Sequence, residues 1–181
     1  MTRLRVPVNE DDHSTGNSGA GIILLEYGDY QCPHCGHAYP LIKKLLHQFN
    51  SGLLFVFRNF PLQEVHPSAM IAALAAEAAG KQNKFWEMHD QLFSEKQLPD
   101  TLKIFQIARQ INLNMNKFKS DFYSKEVNDL LKNNSQKCID MGLFATPTIL
   151  INDNVLFNSS SKEYIEKTIT ESLTDDDDSK Q

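Results

Sequence analysis

Apolar positions change their spacing several times along this chain, and each change marks a different element. Ile22-Ile23-Leu24-Leu25-Glu26-Tyr27 is a short apolar run without helical spacing, the pattern of a strand covered on both faces. From Pro40 onward, Leu41, Ile42, Leu45, Leu46 and Phe49 recur at steps of three and four. That spacing predicts a helix that starts at or just after Cys32 and Cys35 and stops near Asn50-Ser51-Gly52. Leu53 to Phe57 reads as a second buried strand, and the order strand, helix, strand implies a parallel pair joined by a right-handed crossover.

Helical spacing takes over between Pro61 and Gly142, over residues 67–79, 84–93, 101–111 and 117–141, the last in one or two pieces. His66-Pro67 reads as the start of the first of these, and Phe85, Trp86, Met88 and Phe93 as packing residues of the second. Thr148-Ile149-Leu150-Ile151 then reads as a strand, Asn152-Asp153-Asn154 as a tight turn tolerant of positive φ, and Val155-Leu156-Phe157 as the returning strand of a hairpin. A last helix is expected from about Lys162 to Leu173, with Ser159, Ser160 or Ser161 as its N-cap. Residues 1–20 are polar and predict a flexible lead, and the acidic run Asp175 to Asp178 predicts a disordered tail over residues 174–181. The alternation of strands and helices, interrupted by one long helical stretch, places the chain in the α/β class.

A chain of 181 residues buries roughly 70% of its unfolded surface in one domain and needs no disulfide scaffold. Its three cysteines, Cys32, Cys35 and Cys138, are therefore available for chemistry, and two of them stand in a C-x-x-C spacing. Eighteen basic against twenty-three acidic residues, with no basic cluster interleaved with aromatics, exclude nucleic acid as a partner. No apolar run approaches the ~20 residues required to cross a bilayer, so no membrane insertion is expected. The first residues lack the apolar core of an export signal, which predicts a cytoplasmic protein, or a periplasmic one if a leader has been removed.

Disulfides are exchanged by thiolates, so a working cysteine must ionise below its ordinary value of about 8.5. Cys32 stands where a buried strand hands over to a helix, and unpaired N–H groups at a helix start favour an anion. Pro33 suits a first helical turn, His34 adds a donor beside the thiolate, and Cys35 lies one turn on, within reach of a mixed disulfide at Cys32. Glu26 is a carboxylate in an otherwise apolar strand. There it either takes and returns the proton of Cys35 or is an ordinary glutamate at an exposed strand end. A metal-bound dithiol is the competing chemistry, but structural zinc takes four ligands and Cys138 has no close cysteine or histidine partner. Covalent haem attachment requires histidine directly after the second cysteine, where Gly36 stands. Neither metal nor cofactor is expected beyond the redox-active pair, and Cys138 reads as a small buried apolar residue.

Four segments together resemble the DsbA-like branch of the thioredoxin superfamily: Leu25-Glu26-Tyr27-Gly28-Asp29-Tyr30-Gln31-Cys32-Pro33-His34-Cys35, Phe55-Val56-Phe57-Arg58-Asn59-Phe60-Pro61-Leu62, Phe85-Trp86-Glu87-Met88-His89-Asp90 and Ala145-Thr146-Pro147-Thr148. The resemblance implies a thioredoxin-like fold, a central mixed sheet flanked by helices, with an inserted α-helical subdomain. Residues 21–61 and 143–173 would form the thioredoxin-like domain and residues 62–142 the insert. It further implies dithiol-disulfide exchange that forms, reduces or isomerises protein disulfides, with Cys32 as nucleophile and Cys35 as resolving thiol. Thr146-Pro147 is implied to be a cis peptide bond facing the cysteines, where the backbone pairs with an extended substrate. The implied partners are protein or peptide thiols and disulfides and a redox partner; the oligomeric state is left open, with the monomer favoured. A module of another class, which senses redox state or binds clients through the proline groove without turnover, is the alternative.

Overall fold

In the computed structural model, residues 7–95, 100–156, 163–165 and 167–171 are described. A mixed five-stranded sheet runs in the order β1-β3-β2-β4-β5, from β1 (His13–Gly16), β2 (Ile22–Gly28), β3 (Leu53–Asn59), β4 (Thr148–Ile151) and β5 (Asn154–Leu156). β1 pairs with β3, β2 with β4 and β4 with β5, all antiparallel, which leaves β3 and β2 as the parallel pair of the mixed sheet. The two central strands lack alternation because both of their faces are buried: Leu24, Leu53, Val56 and Phe57 have no exposed surface.

The chain forms two compact units, a sheet unit of residues 1–28, 37–58 and 146–181 and a helical unit of residues 29–36 and 59–145. Most of α1 (Pro33–Phe49) belongs to the sheet unit, with Ala38, Ile42 and Leu45 on its buried side. The turn between β4 and β5 places Asn152 and Asp153 at positive φ of 45° and 68°, as a two-residue hairpin requires. Residues 163–165 and 167–171 are helical and bury Ile165 and Ile169, while the expected N-cap serines and acidic tail lie outside the described residues.

Within residues 1–20, which the sequence reads as a flexible lead, the structure places the strand β1. Its side chains alternate between half-buried and exposed, so periodicity gives little sign of it. Backbone pairing with β3 forms the strand, and Arg58 clamps the residues before it. Arg58 Nε and Nη2 donate to the two Asp12 oxygens at 2.6 and 2.7 Å, Nη1 to Tyr27 Oη at 2.9 Å, and Nη2 also to the Pro7 carbonyl at 3.0 Å. Burial disfavours the guanidinium charge, but Asp12 and Tyr27 outweigh it and raise Arg58 above its ordinary value.

In the helical unit, α2 (Ala69–Gly80) is apolar almost all round and contacts α3 (Phe85–Ser94), α4 (Thr101–Gln110), α5 (Met115–Phe122) and α6 (Lys125–Asp140). Its run of alanines removes side-chain bulk from the packed faces; Met70 and Ala73 meet Val127 and Leu131 of α6 in one buried cluster. The 117–141 stretch is in two pieces because Ser124 caps α6, its hydroxyl accepting from Val127 N–H at 3.1 Å. Asp100 and Asn114 cap α4 and α5 in the same way.

Candidate active site

β2 ends at Gly28, where a Cβ would stand 2.3 Å from the Phe57 ring, so only glycine fits the strand end at this distance. The chain then turns tightly: Cys32 N–H donates to the Asp29 carbonyl at 3.1 Å, and Gly36 N–H donates to the Cys32 carbonyl at 3.1 Å as the first bond of α1. Cys32 is thus the N-cap residue and Pro33 the first helical residue, a place where a missing N–H costs nothing. The helix thus starts directly after Cys32, where the sequence places it, and Cys35 lies inside its first turn.

Cys32 and Cys35 are thiols and buried, Cys35 without exposed surface, whereas Pro33, His34, Gly36 and His37 are exposed. Cys35 Sγ accepts a hydrogen bond from the backbone N–H of Asp29 at 3.4 Å. The Asp29 side chain is itself fully buried. Its Oδ1 accepts from Gln31 N–H at 2.7 Å, and its Oδ2 from Leu62 N–H at 2.9 Å and His66 Nδ1 at 2.8 Å. Gln31 adds a further tie, its Oε1 accepting from Ser68 N–H at 2.9 Å. Tyr30 Oη bonds His89 Nδ1 at 3.0 Å, and the rings of Tyr30, His89 and Phe93 pack against one another at tilted and edge-on angles.

The structure brings Cys32, Pro33, His34 and Cys35 together at the start of α1. It places Glu26 in the middle of β2, opposite Ile149, with 2% of its surface exposed, which removes the exposed-end reading. Thr146 is buried, Pro147 is half-buried, and the peptide bond between them is cis, directly before β4. Cys138 is buried on α6. Among the described residues, no group of three His, Cys, Asp or Glu side chains is placed to hold a metal ion, and no helix is long and apolar enough to cross a membrane.

Sequence spacing assigns no part to Asp29 and reads His66 only as a helix start. The readable signal was local: an aspartate just past an apolar strand, two residues before a free N–H, is set for an Asx turn. Its ties to Leu62 and His66 cross 33 and 37 residues and leave no periodic trace. The Tyr30–His89 pair crosses 59 residues and likewise leaves no periodic trace.

The family model described as Thioredoxin matches residues 8–171. Over 168 residues the chain is 33% identical to a Na(+)/H(+) antiporter NhaA 1 of Salinispora arenicola, covering 92% of this chain and 26% of that protein. The chain thus spans about a quarter of the length of the curated relatives it matches. BdbD from Bacillus subtilis superposes with a TM-score of 0.74 at 28% identity, over 89% of this chain and 92% of that one. The thiol-disulfide exchange protein alpha-DsbA2 from Wolbachia pipientis superposes at 0.79 with 21% identity, over 90% and 88%. A family model over most of its length, the shared fold and the dithiol at the head of α1 agree: the chain belongs to the thioredoxin family.

Proposed function

We propose that this chain is a thiol-disulfide oxidoreductase that forms, reduces or isomerises disulfides in protein substrates through Cys32 and Cys35. The observation that carries the reading is the position of Cys32 as N-cap of a seventeen-residue helix. Open N–H groups and the positive end of the helix dipole favour its thiolate there. In the oxidising direction a substrate thiolate attacks Cys32 Sγ, the Cys32–Cys35 bond breaks, and Cys35 leaves as a thiolate. A second substrate thiol then displaces Cys32, so the substrate gains a disulfide and the enzyme takes up two electrons. The reverse sequence reduces a disulfide, and no cofactor beyond the dithiol takes part.

His34, exposed in the first turn, supplies a donor to the Cys32 thiolate. Thr146 and Pro147 hold the extended substrate, and Glu26 takes and returns the Cys35 proton; the DsbA-like resemblance supports these assignments. In a glutathione-reduced cytoplasm the pair would run as a reductant or isomerase, in an oxidising compartment as an oxidant. The test is insulin reduction and dithiothreitol oxidation by the wild type and by Cys32→Ala. Turnover is expected in the wild type alone, and equal rates in both proteins would overturn the proposal. The reduction potential of the pair against glutathione then assigns the direction.

A further inference from the structure

We infer that Asp29 is a positioning residue for the dithiol: its buried carboxylate, anchored by Leu62 N–H and His66, aims its own backbone N–H at Cys35 Sγ. The inference rests on the exchange reaction proposed above and adds a part to it. When a substrate thiolate forms a mixed disulfide with Cys32, the broken Cys32–Cys35 bond leaves its electron pair on Cys35 Sγ. That sulfur has no exposed surface, so water does not solvate the new charge. The Asp29 N–H, 3.4 Å away, supplies the stabilising dipole instead.

Three observations show that this N–H is held in place. The turn from Asp29 to Cys32 is closed twice, by the Cys32 N–H to the Asp29 carbonyl and by Gln31 N–H to Asp29 Oδ1. Asp29 Oδ2 is bound from outside the turn by the Leu62 N–H and His66 Nδ1, and Gln31 Oε1 by the Ser68 N–H. The segment from Leu62 to Ser68 is therefore a brace for the cysteine turn. A backbone donor costs no proton and no rotamer entropy, so its effect depends on how firmly the turn is braced.

The test uses a Cys32→Ser, Cys138→Ala protein, in which Cys35 is the remaining thiol, and needs neither substrate nor turnover. Its outcome is therefore independent of whether the wild type exchanges disulfides. As Cys35 ionises, followed by thiolate absorbance, the Asp29 amide proton is expected to move downfield with the same midpoint in NMR spectra; a flat amide shift overturns the inference. Asp29→Asn in the same background leaves one acceptor oxygen where Gln31 N–H, Leu62 N–H and His66 converge, and so loosens the turn. The Cys35 midpoint is expected to rise by about one pH unit, a tenfold loss of thiolate at fixed pH. A role through charge alone moves the midpoint the other way, because a negative charge has been removed. An unchanged or lowered midpoint therefore refutes positioning. If Asp29→Asn fails to fold, His66→Gln decides: a smaller rise supports the inference and no rise overturns it.

Discussion

Asp12 in the sheet unit and Asp29 in the helical unit are both carboxylates that tie distant segments together, yet their partners differ in kind. Asp12 is held by Arg58, whose charge is permanent, and both side chains keep some solvent exposure. Asp29 is sealed off and is held by two backbone N–H groups and a histidine. The first secures the approach to an edge strand. The second secures the turn that carries a reactive sulfur, by backbone donors whose position is fixed by the chain itself.

Removing each carboxylate breaks the comparison most sharply. Asp29→Ala leaves two backbone N–H groups and His66 unsatisfied in the interior and is expected to cost about 3–5 kcal/mol. Asp12→Ala, with water able to replace it, is expected to cost about 1–2 kcal/mol. Urea unfolding followed by circular dichroism measures both, and equal losses would mean that the two clamps are alike. Next come two glycines on either side of the cysteine turn. Gly28→Ala drives a methyl into the Phe57 ring and is expected to destabilise by about 1–3 kcal/mol. Gly36→Ala meets nothing within 4 Å and lies in the first turn of a helix, so thermal unfolding should show it neutral or up to about 1 kcal/mol more stable.

The smallest effect is expected at an exposed pair, Lys84 with Glu87, where the lysine hydrogen bond lowers the Glu87 pKa against a desolvation that raises it. A lowered folded value means that the contribution is present above the ordinary carboxylate range near 4.3. It fades as pH falls through the folded value. Lys84→Ala should therefore cost at most a few tenths of a kcal/mol at neutral pH and nothing in acid, measured by thermal unfolding at both. A large loss in acid would place that pair among the buried clamps.

Much of the fold was legible because burial imposes a period on neighbouring residues. β2, β3, β4, the hairpin turn and the helices of the insert all stand close to where spacing puts them. The edge strand β1 was less legible. β1 is made by pairing with β3 and buries little, so spacing gives little sign of it. Of the site, the C-x-x-C pair and the buried Glu26 could be read from their neighbours in the chain, since a strand end and a helix start are local events.

By itself the sequence determined the α/β class, the helical insert and the dithiol at a strand-to-helix corner, all of which follow from contacts among residues a few positions apart. Only the tertiary structure decided that Asp29 meets His66 across 37 residues and that Arg58 meets Asp12 across 46. The physical reason is that a polar group satisfied inside a protein is matched one to one with a partner that folding delivers. Such a match repeats with no period, so nothing along the chain announces it.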